Sequence, residues 1–260
     1  MYWAMIRDEA AKVAARDALL ENWINQMVLA HDDYSSALTS VLASKLGNQD
    51  IPSQHLAELF RMAIAEDPNI LTASAADLAA IQARDPAAKS MLSGLLYYKG
   101  FHAMACHRIN HWLWHHGRQY LARYLNTRVS ITCAIDIHPG ARVGNGVFID
   151  HGTGIVVGET AVIGNDVSIL QEVTLGGSGT EHGDRHPKVR EGVLLGAGAK
   201  VLGNIEVGRF VKVSAGSVVL QDVPPRATVA GVPARIVGWT GENAPALEMN
   251  HGLADIDYYL

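Results

Sequence analysis

The sequence predicts an α+β protein in which an all-helical N-terminal domain, residues 1–128, precedes a parallel β-helix, residues 129–238, and a C-terminal tail, residues 239–260. Three observations predict this order. Before about residue 128 glycine is scarce and apolar residues recur at helical spacing. After it a six-residue repeat rich in valine and isoleucine takes over, and a polar, glycine-rich segment at 176–188 interrupts that repeat.

Amphipathic periodicity predicts a set of helices in the first half. Because the residue before a proline is pushed out of the α region, Pro52, Pro68 and Pro86 mark breaks between them. Clear examples of predicted helices span residues 3–30, 35–46, 53–65 and 97–116. These helices are expected to form a domain of their own.

In the second half an aliphatic residue recurs at every sixth position. One inward side chain per six residues describes short strands joined by tight turns, with each turn of chain stacked on the last. Four to five stacked coils would form a column about 20 Å tall. The inward positions fall into three runs: Ile131, Ile137, Val143, Ile149 and Ile155; Val157, Ile163, Ile169 and Leu175; and Val189, Leu195, Val201, Val207, Val213 and Val219.

Composition restricts the classes of partner. Lys and Arg number 21 against 26 Asp and Glu, so no basic surface is expected for nucleic acid or anionic membranes. The start of the chain does not resemble a signal peptide, and no stretch approaches the length of a membrane span. The two cysteines, Cys106 and Cys133, are expected to be buried thiols in a reducing, cytoplasmic environment.

The segment 176–188 is too polar to continue the column and is expected to leave it as an exposed loop. Loops that extend from a rigid scaffold commonly display ligand-binding groups. This loop carries Asp184, Arg185 and His186 side by side. A guanidinium donates two parallel hydrogen bonds to a carboxylate, so an amino-acid substrate would suit Arg185.

Acids and histidines at the corners of the column should point outward, because aliphatic residues fill its interior. Asp136 and His151 are interpreted as a pair in which the Asp136 carboxylate orients the His151 imidazole as a base. Imidazole, with an ordinary pKa near 6.5, suits proton abstraction from a hydroxyl at neutral pH. Glycines beside His151 would let a substrate approach closely.

Several longer motifs resemble the serine acetyltransferases, a family of hexapeptide-repeat acyltransferases. The resemblance covers about residues 30–240 and implies left-handed winding with three six-residue units per triangular coil. In the second half it is carried by residues 136–139, 150–161, 183–188, 202–208 and 230–238, and in the helical half by residues 84–87, 96–103 and 111–114.

The resemblance implies direct transfer of an acetyl group from acetyl-CoA to the hydroxyl of L-serine, without an acyl-enzyme and without a metal. At the matching positions His151 would be the general base, and Asp136 would orient its imidazole. The same matching implies serine-binding roles for Asp85, Asp150, Arg185 and His186, and CoA contacts near Gly177, Ala197 and Ala215.

The family also implies partners. A homotrimer is expected, with two trimers paired through the helical domains, and L-cysteine is the expected feedback inhibitor. Family members often end in isoleucine, which enters the active site of O-acetylserine sulfhydrylase. This chain ends in Leu260, so the same complex through the tail stays an open possibility.

Other interpretations stay open on the residues alone. A hexapeptide acetyltransferase for a sugar or antibiotic hydroxyl would need neither Arg185 nor Asp85. A β-helical zinc carbonic anhydrase would need a third histidine beside His182 and His186, and a scaffold would bind no CoA. His107, His111 and His115 share one helical face, but no acid or cysteine completes a ligand set, so packing or an interface is expected.

Overall fold

The computed structural model describes residues 2–180, 182–241, 244–250 and 252. Helices form the first half of the chain, and one short helix, α9, follows the strands. The helices are α1 Tyr2–Arg16, α2 Ala18–Ile24, a π-helical turn Asn25–Leu29, α3 Tyr34–Leu46, α4 Ser53–Glu66, α5 Asn69–Arg84, α6 Met91–Tyr97, α7 Lys99–His115, α8 Gln119–Cys133 and α9 Pro245–Glu248. No helix in these described ranges has the length and apolar character needed to cross a membrane.

Two boundaries differ from the sequence prediction. The helix expected over residues 3–30 is interrupted at Asp17, whose side chain accepts a hydrogen bond from the Leu19 N–H and so starts a new helix. The helix α8 continues to Cys133, five residues past the predicted boundary at 128. Ile131, expected as the first inward residue of the repeat, lies on α8 with 67% of its surface exposed.

The second half is the expected β-helix, of about five turns. Its three faces are parallel sheets: face 1 holds β1-β4-β7-β10-β13, face 2 holds β2-β5-β8-β11, and face 3 holds β3-β6-β9-β12-β14, with β15 antiparallel to β14. The strands are β1 Ile135–Ile137, β2 Arg142–Val143, β3 Phe148–Ile149, β4 Ile155–Val157, β5 Val162–Ile163, β6 Ser168–Ile169, β7 Thr174–Gly176, β8 Lys188–Val189, β9 Leu194–Leu195, β10 Lys200–Leu202, β11 Glu206–Val207, β12 Lys212–Val213, β13 Val218–Val219, β14 Ala227–Gly231 and β15 Ala234–Trp239.

Stacked aliphatic side chains fill the column. From Ile137 to Val219 the predicted inward residues are buried, except that Val143 is partly exposed. Burying one such side chain contributes roughly 1.5–3 kcal/mol, so each coil is held by the coil below and the coil above. The sequence repeat therefore predicted the core of this half correctly.

The strand register shows three departures from a regular coil, two insertions and one shortening; the shortening is the offset of 16 residues between Lys212 and Thr228 near the end of the column. A regular coil takes 18 residues, as in the pairing of Val156 with Thr174. The pairing of Phe148 with Ser168 is offset by 20 residues, which places two extra residues at the corner after β3. The pairing of Ser168 with Leu194 is offset by 26, which places eight extra residues in the loop after β7. These two insertions carry part of the candidate site: Asp150 and His151 at the corner, and Gly177, Arg185 and His186 in the loop.

A buried ion pair joins the helical half to the first coil. Arg108 on α7 donates to Asp77 Oδ2 on α5 from Nε, at 2.9 Å, and from one terminal nitrogen, at 2.6 Å. That nitrogen also donates to the Gly144 carbonyl, and Asp77 Oδ1 accepts from the Val147 N–H. The two side chains are 8% and 2% exposed. This network fixes the position of α5, and hence of the loop that follows it, against the column.

We expect Asp77→Ala to lower the free energy of unfolding by about 3–5 kcal/mol, because the Arg108 guanidinium would stay buried without its partner. Denaturation by guanidinium chloride measures this. Asp8→Ala is the matched control: it removes the exposed ion pair with Lys12 and should cost about 1 kcal/mol or less. Equal losses in the two variants would contradict the structural role given to Asp77.

Candidate active site

A cleft of about 450 Å³ lies where the helical half meets the corner after β3. The loop after α5 contributes Asp85, the junction of α6 and α7 contributes Tyr98, and the corner contributes Asp150 and His151. The structure thus brings together three of the predicted site residues, Asp85, Asp150 and His151. We call this cluster the His151 corner.

The two extra residues after β3 shape the turn that presents His151. Its backbone lies in the left-handed region, with φ of 54°, and Gly152 follows at 75°. A side chain on Gly152 would collide with Ile135 and Ile149, which underlie the turn. The His151 side chain is 78% exposed, and its Nε2 lies 3.9 Å from Asp150 Oδ1. Such a conformation costs of order 1 kcal/mol and is commonly found where a side chain must be displayed.

Two hydrogen bonds fix the Asp85 carboxylate. Its Oδ2 accepts from the Tyr98 hydroxyl and its Oδ1 from the Ala87 N–H, each at 2.7 Å. Burial, followed by the hydrogen bond to Asp85, raises the pKa of Tyr98 to about 12, so the phenol keeps its proton and donates. Asp85 and Asp150 give the cleft two carboxylates, which suit a bound ammonium group.

Asp136 is the central residue of β1, the edge strand of face 1, and pairs with Val156 of β4. Its Oδ1 accepts a hydrogen bond of 2.8 Å from Asn126 Nδ2 on α8. Within the described part of the chain, no hydrogen bond or ion pair joins Asp136 to His151, so the orienting role of Asp136 stays a prediction. Sequence reasoning missed Asn126, because a lone asparagine on a helix carries no recognisable signal.

A second cluster, the Arg185 corner, forms where the loop after β7 folds back against the column. Arg185 donates to the Gly183 carbonyl and, at 2.9 Å, to Glu159 Oε2; among the described residues its other N–H groups have no partner and could bind a ligand. The Arg185 guanidinium holds the pKa of the Glu159 carboxyl below its ordinary value. Asp184, the other predicted loop residue, accepts from Lys188 Nζ at 2.6 Å.

His186 is 7% exposed at the Arg185 corner, and its Nδ1 lies 2.9 Å from Thr160 Oγ1. Burial, with Arg185 and Lys188 nearby, lowers the pKa of His186. Sequence reasoning missed both Glu159 and Thr160. Both residues lie inside the motif at residues 150–161. The sequence around an acid or a threonine at such a turn does not predict which distant residue its side chain will contact.

The two clusters lie at different edges of the column. The His151 corner lies between face 3 and face 1, and the Arg185 corner lies between face 1 and face 2. The predicted CoA contacts divide in the same way: Ala197 and Ala215 follow strands of face 3, and Gly177 follows a strand of face 1. A single chain therefore does not gather all of the predicted site residues at one edge.

Of the three histidines of α7 expected to pack or to form an interface, His107 is buried and His111 half-buried, whereas His115 is exposed with its ring against that of His111. His107 is 3% exposed, and burial lowers its pKa to about 3. His111 Nδ1 donates to the Pro139 carbonyl at 2.8 Å. Across the described residues, no group of three or more His, Cys, Asp or Glu side chains could hold a metal ion.

Comparison with known proteins agrees with this geometry. Residues 2–106 match the family model "Serine acetyltransferase, N-terminal". The serine acetyltransferase of Escherichia coli K12 is 51% identical over 256 residues, which are 98% of this chain and 94% of that protein. The chain belongs to the serine acetyltransferase family.

Solved structures of serine acetyltransferases share the whole fold. One, a complex with cysteine, has a TM-score of 0.95 at 50% identity and covers 97% of this chain and 98% of its own. Another, the serine acetyltransferase of Brucella abortus strain S19 in complex with coenzyme A, has a TM-score of 0.91 at 47% identity. The match covers 92% of this chain and 96% of that one. The expected fold, a helical domain and a left-handed β-helix, is confirmed. These relatives do not support the sugar or antibiotic acetyltransferase alternative.

Proposed function

We propose that this protein is a serine O-acetyltransferase, which converts L-serine and acetyl-CoA into O-acetyl-L-serine and CoA, the first step of cysteine biosynthesis from serine. The observation that carries the proposal is the cleft that combines an exposed imidazole with two carboxylates, in a chain 51% identical to a serine acetyltransferase along nearly its full length. The cleft has the groups that a small amino alcohol requires: acids for its ammonium and a base for its hydroxyl.

In the proposed reaction His151 takes the proton of the serine hydroxyl while the oxygen attacks the thioester carbonyl carbon. The new C–O bond forms, the C–S bond breaks, and the CoA thiolate leaves and takes the proton back from the imidazolium. A thiolate is a good leaving group, because its conjugate thiol has a pKa near 8.5. Asp136 would orient His151, and no step uses a metal.

The substrate would be held by its two charged groups. Asp85, held by Tyr98 and the Ala87 N–H, and Asp150 would bind the ammonium of serine. Arg185 and His186 would bind its carboxylate. Gly177, Ala197 and Ala215 would contact acetyl-CoA through their main chains.

We expect His151→Ala to reduce serine-dependent thiol release from acetyl-CoA by about 10²–10⁴-fold, the usual contribution of a general base. The assay runs with L-serine, L-homoserine and a sugar acceptor, and L-serine should be strongly preferred. His55→Ala, at an exposed position of α4, is the matched control and should keep full activity. Unchanged turnover in His151→Ala would overturn its assignment as the base.

We propose further that the enzyme is a homotrimer. Each chain has one His151 corner and one Arg185 corner at different edges of its column, so the full residue set can meet only where two chains lie side by side. A head-to-tail interface of this kind closes into a ring when the rotation fits. The triangular cross-section suits a three-fold ring, and pairing of two trimers through the helical halves completes the assembly that the family resemblance implies.

Mixed assemblies test this arrangement. His151→Ala and His186→Ala should each be nearly inactive alone. Because random mixing places an intact His151 beside an intact His186 in some interfaces, co-expressed chains should recover about a quarter of the wild-type sites. No recovery, with mixed trimers shown by mass spectrometry, would place the complete site within one chain.

The remaining roles follow from the same site. L-cysteine differs from L-serine by sulfur in place of oxygen, so the same charged groups would hold it as a feedback inhibitor; the related structure in complex with cysteine supports this. Cys106 and Cys133 are buried and unpaired, which suits the cytoplasm. The tail that would bind O-acetylserine sulfhydrylase ends in Leu260, and residues 253–260 lie outside the described residues.

A further inference from the structure

The hydroxyl of Thr160 lies among several polar groups at the Arg185 corner, and one of them is the Asp184 carboxylate, whose pKa it helps to lower by a hydrogen bond. Its Oγ1 accepts from the backbone N–H of Arg185, at 3.0 Å, and from that of His186, at 3.2 Å. A hydroxyl has two lone pairs and one proton. Since the two N–H groups occupy both lone pairs, the proton is left for an acceptor: His186 Nδ1, at 2.9 Å, competes for it with the Asp184 carboxylate.

The backbone N–H of Thr160 also requires a lone pair on His186 Nδ1. The Thr160 N–H also donates to His186 Nδ1, at 3.2 Å. Because two donors point at Nδ1, this nitrogen must carry a lone pair. A neutral imidazole has one proton, which must then lie on Nε2.

The Nε2 of His186 lies against the backbone of Gly158 and near Gly177. It has no hydrogen-bond partner within the described part of the chain. The imidazole packs over Gly158, where a Cβ would overlap Cδ2 and Nε2, and Nε2 lies 3.6 Å from the position that a Cβ on Gly177 would take. The Nε2–H is therefore an unused donor beside the predicted CoA contact at Gly177.

The charges around His186 favour its neutral form. Arg185 and Lys188, from the loop and β8, and His138, from the corner after β1, disfavour a second proton, and Glu159 alone favours one. Together with burial they lower the pKa of His186. At neutral pH the ring is thus neutral, and Thr160 decides which nitrogen holds the proton.

We propose that Thr160 is a positioning residue that fixes His186 as a permanent Nε2–H donor to the carboxylate of the bound serine. The inference rests on the proposed function and deepens it. A neutral imidazole without this constraint would present a lone pair to the carboxylate in part of the molecules. A hydrogen bond from the Thr160 hydroxyl to Nδ1 disfavours the tautomer whose Nε2 lone pair would repel the carboxylate.

Thr160→Val tests the proposal, because valine keeps the shape and removes the hydroxyl. At pH 8 we expect kcat/KM for L-serine to fall about two- to fivefold, because only part of the His186 rings would still donate to the charged carboxylate, with the change in KM rather than kcat. Thr160→Ser keeps the hydroxyl and should restore KM to near the wild-type value. A Thr160→Val enzyme with wild-type KM would overturn the proposal.

The pH dependence separates this role from a merely structural one. An imidazolium carries a proton on both nitrogens and donates from Nε2 whatever Thr160 does. The ratio of wild-type to Thr160→Val kcat/KM should therefore shrink toward one as the pH falls from 8.5 through the lowered pKa of His186. Protonation of His151 affects both enzymes and cancels in the ratio. A ratio that stays constant would show that the variant only displaces the loop, and would overturn the proposal.

¹⁵N-histidine NMR decides the tautomer without reference to activity, with His186→Gln used to assign the resonances. Wild-type His186 should show a protonated Nε2 and a bare Nδ1, and Thr160→Val, which keeps the backbone N–H but loses the hydroxyl as a donor to Nδ1, should show a partial shift toward Nδ1–H. A wild-type Nδ1–H would overturn the tautomer assignment. If the wild-type enzyme leaves serine unmodified, the proposed function and the carboxylate role both fail, and the NMR result still tests the action of Thr160 on His186.

Discussion

The structure depends on one constraint, the stacking of inward aliphatic side chains at an 18-residue period. Each coil buries its apolar residues only against the coils on either side, so a shift of one residue would turn an aliphatic side chain outward. The core therefore fixes the register along the whole column. Residues that are not needed for the core can be added only at the corners, and both additions are found there.

The site follows from those additions. Two extra residues force a left-handed turn at His151, and eight extra residues form the loop that carries Arg185 and His186. The column itself supplies rigidity, which keeps the two corners at a fixed separation. The candidate site residues at the two corners thus lie where the six-residue repeat is interrupted. The regular coils between the two corners set the distance from one corner to the other.

The sequence was sufficient to predict most of the fold, because a period of six is visible in the positions of valine and isoleucine. It failed at Ile131, which continues the period by coincidence while lying on α8, and at Asp17, where a capping side chain rather than a proline divides a helix. The first miss arises because spacing does not say which neighbour a residue packs against, and the second because helical spacing continues through a residue whose side chain caps a new helix.

The predicted site residues were found by motif, and the structure gathers Asp85, Asp150 and His151 in one cleft. Their supporting groups could not have been found in the same way. Thr160 meets His186, 26 positions later, only because the inserted loop folds back onto the column. Such contacts depend on the register of whole coils, which no short motif encodes.

A crystal structure of the assembled protein with L-serine bound tests the central claim most directly. The account predicts serine between two chains, with its hydroxyl at His151 and its ammonium near Asp85 and Asp150 of one chain, and its carboxylate at the Arg185 corner of the next. Serine held entirely by one chain, or bound away from both inserted corners, would contradict it.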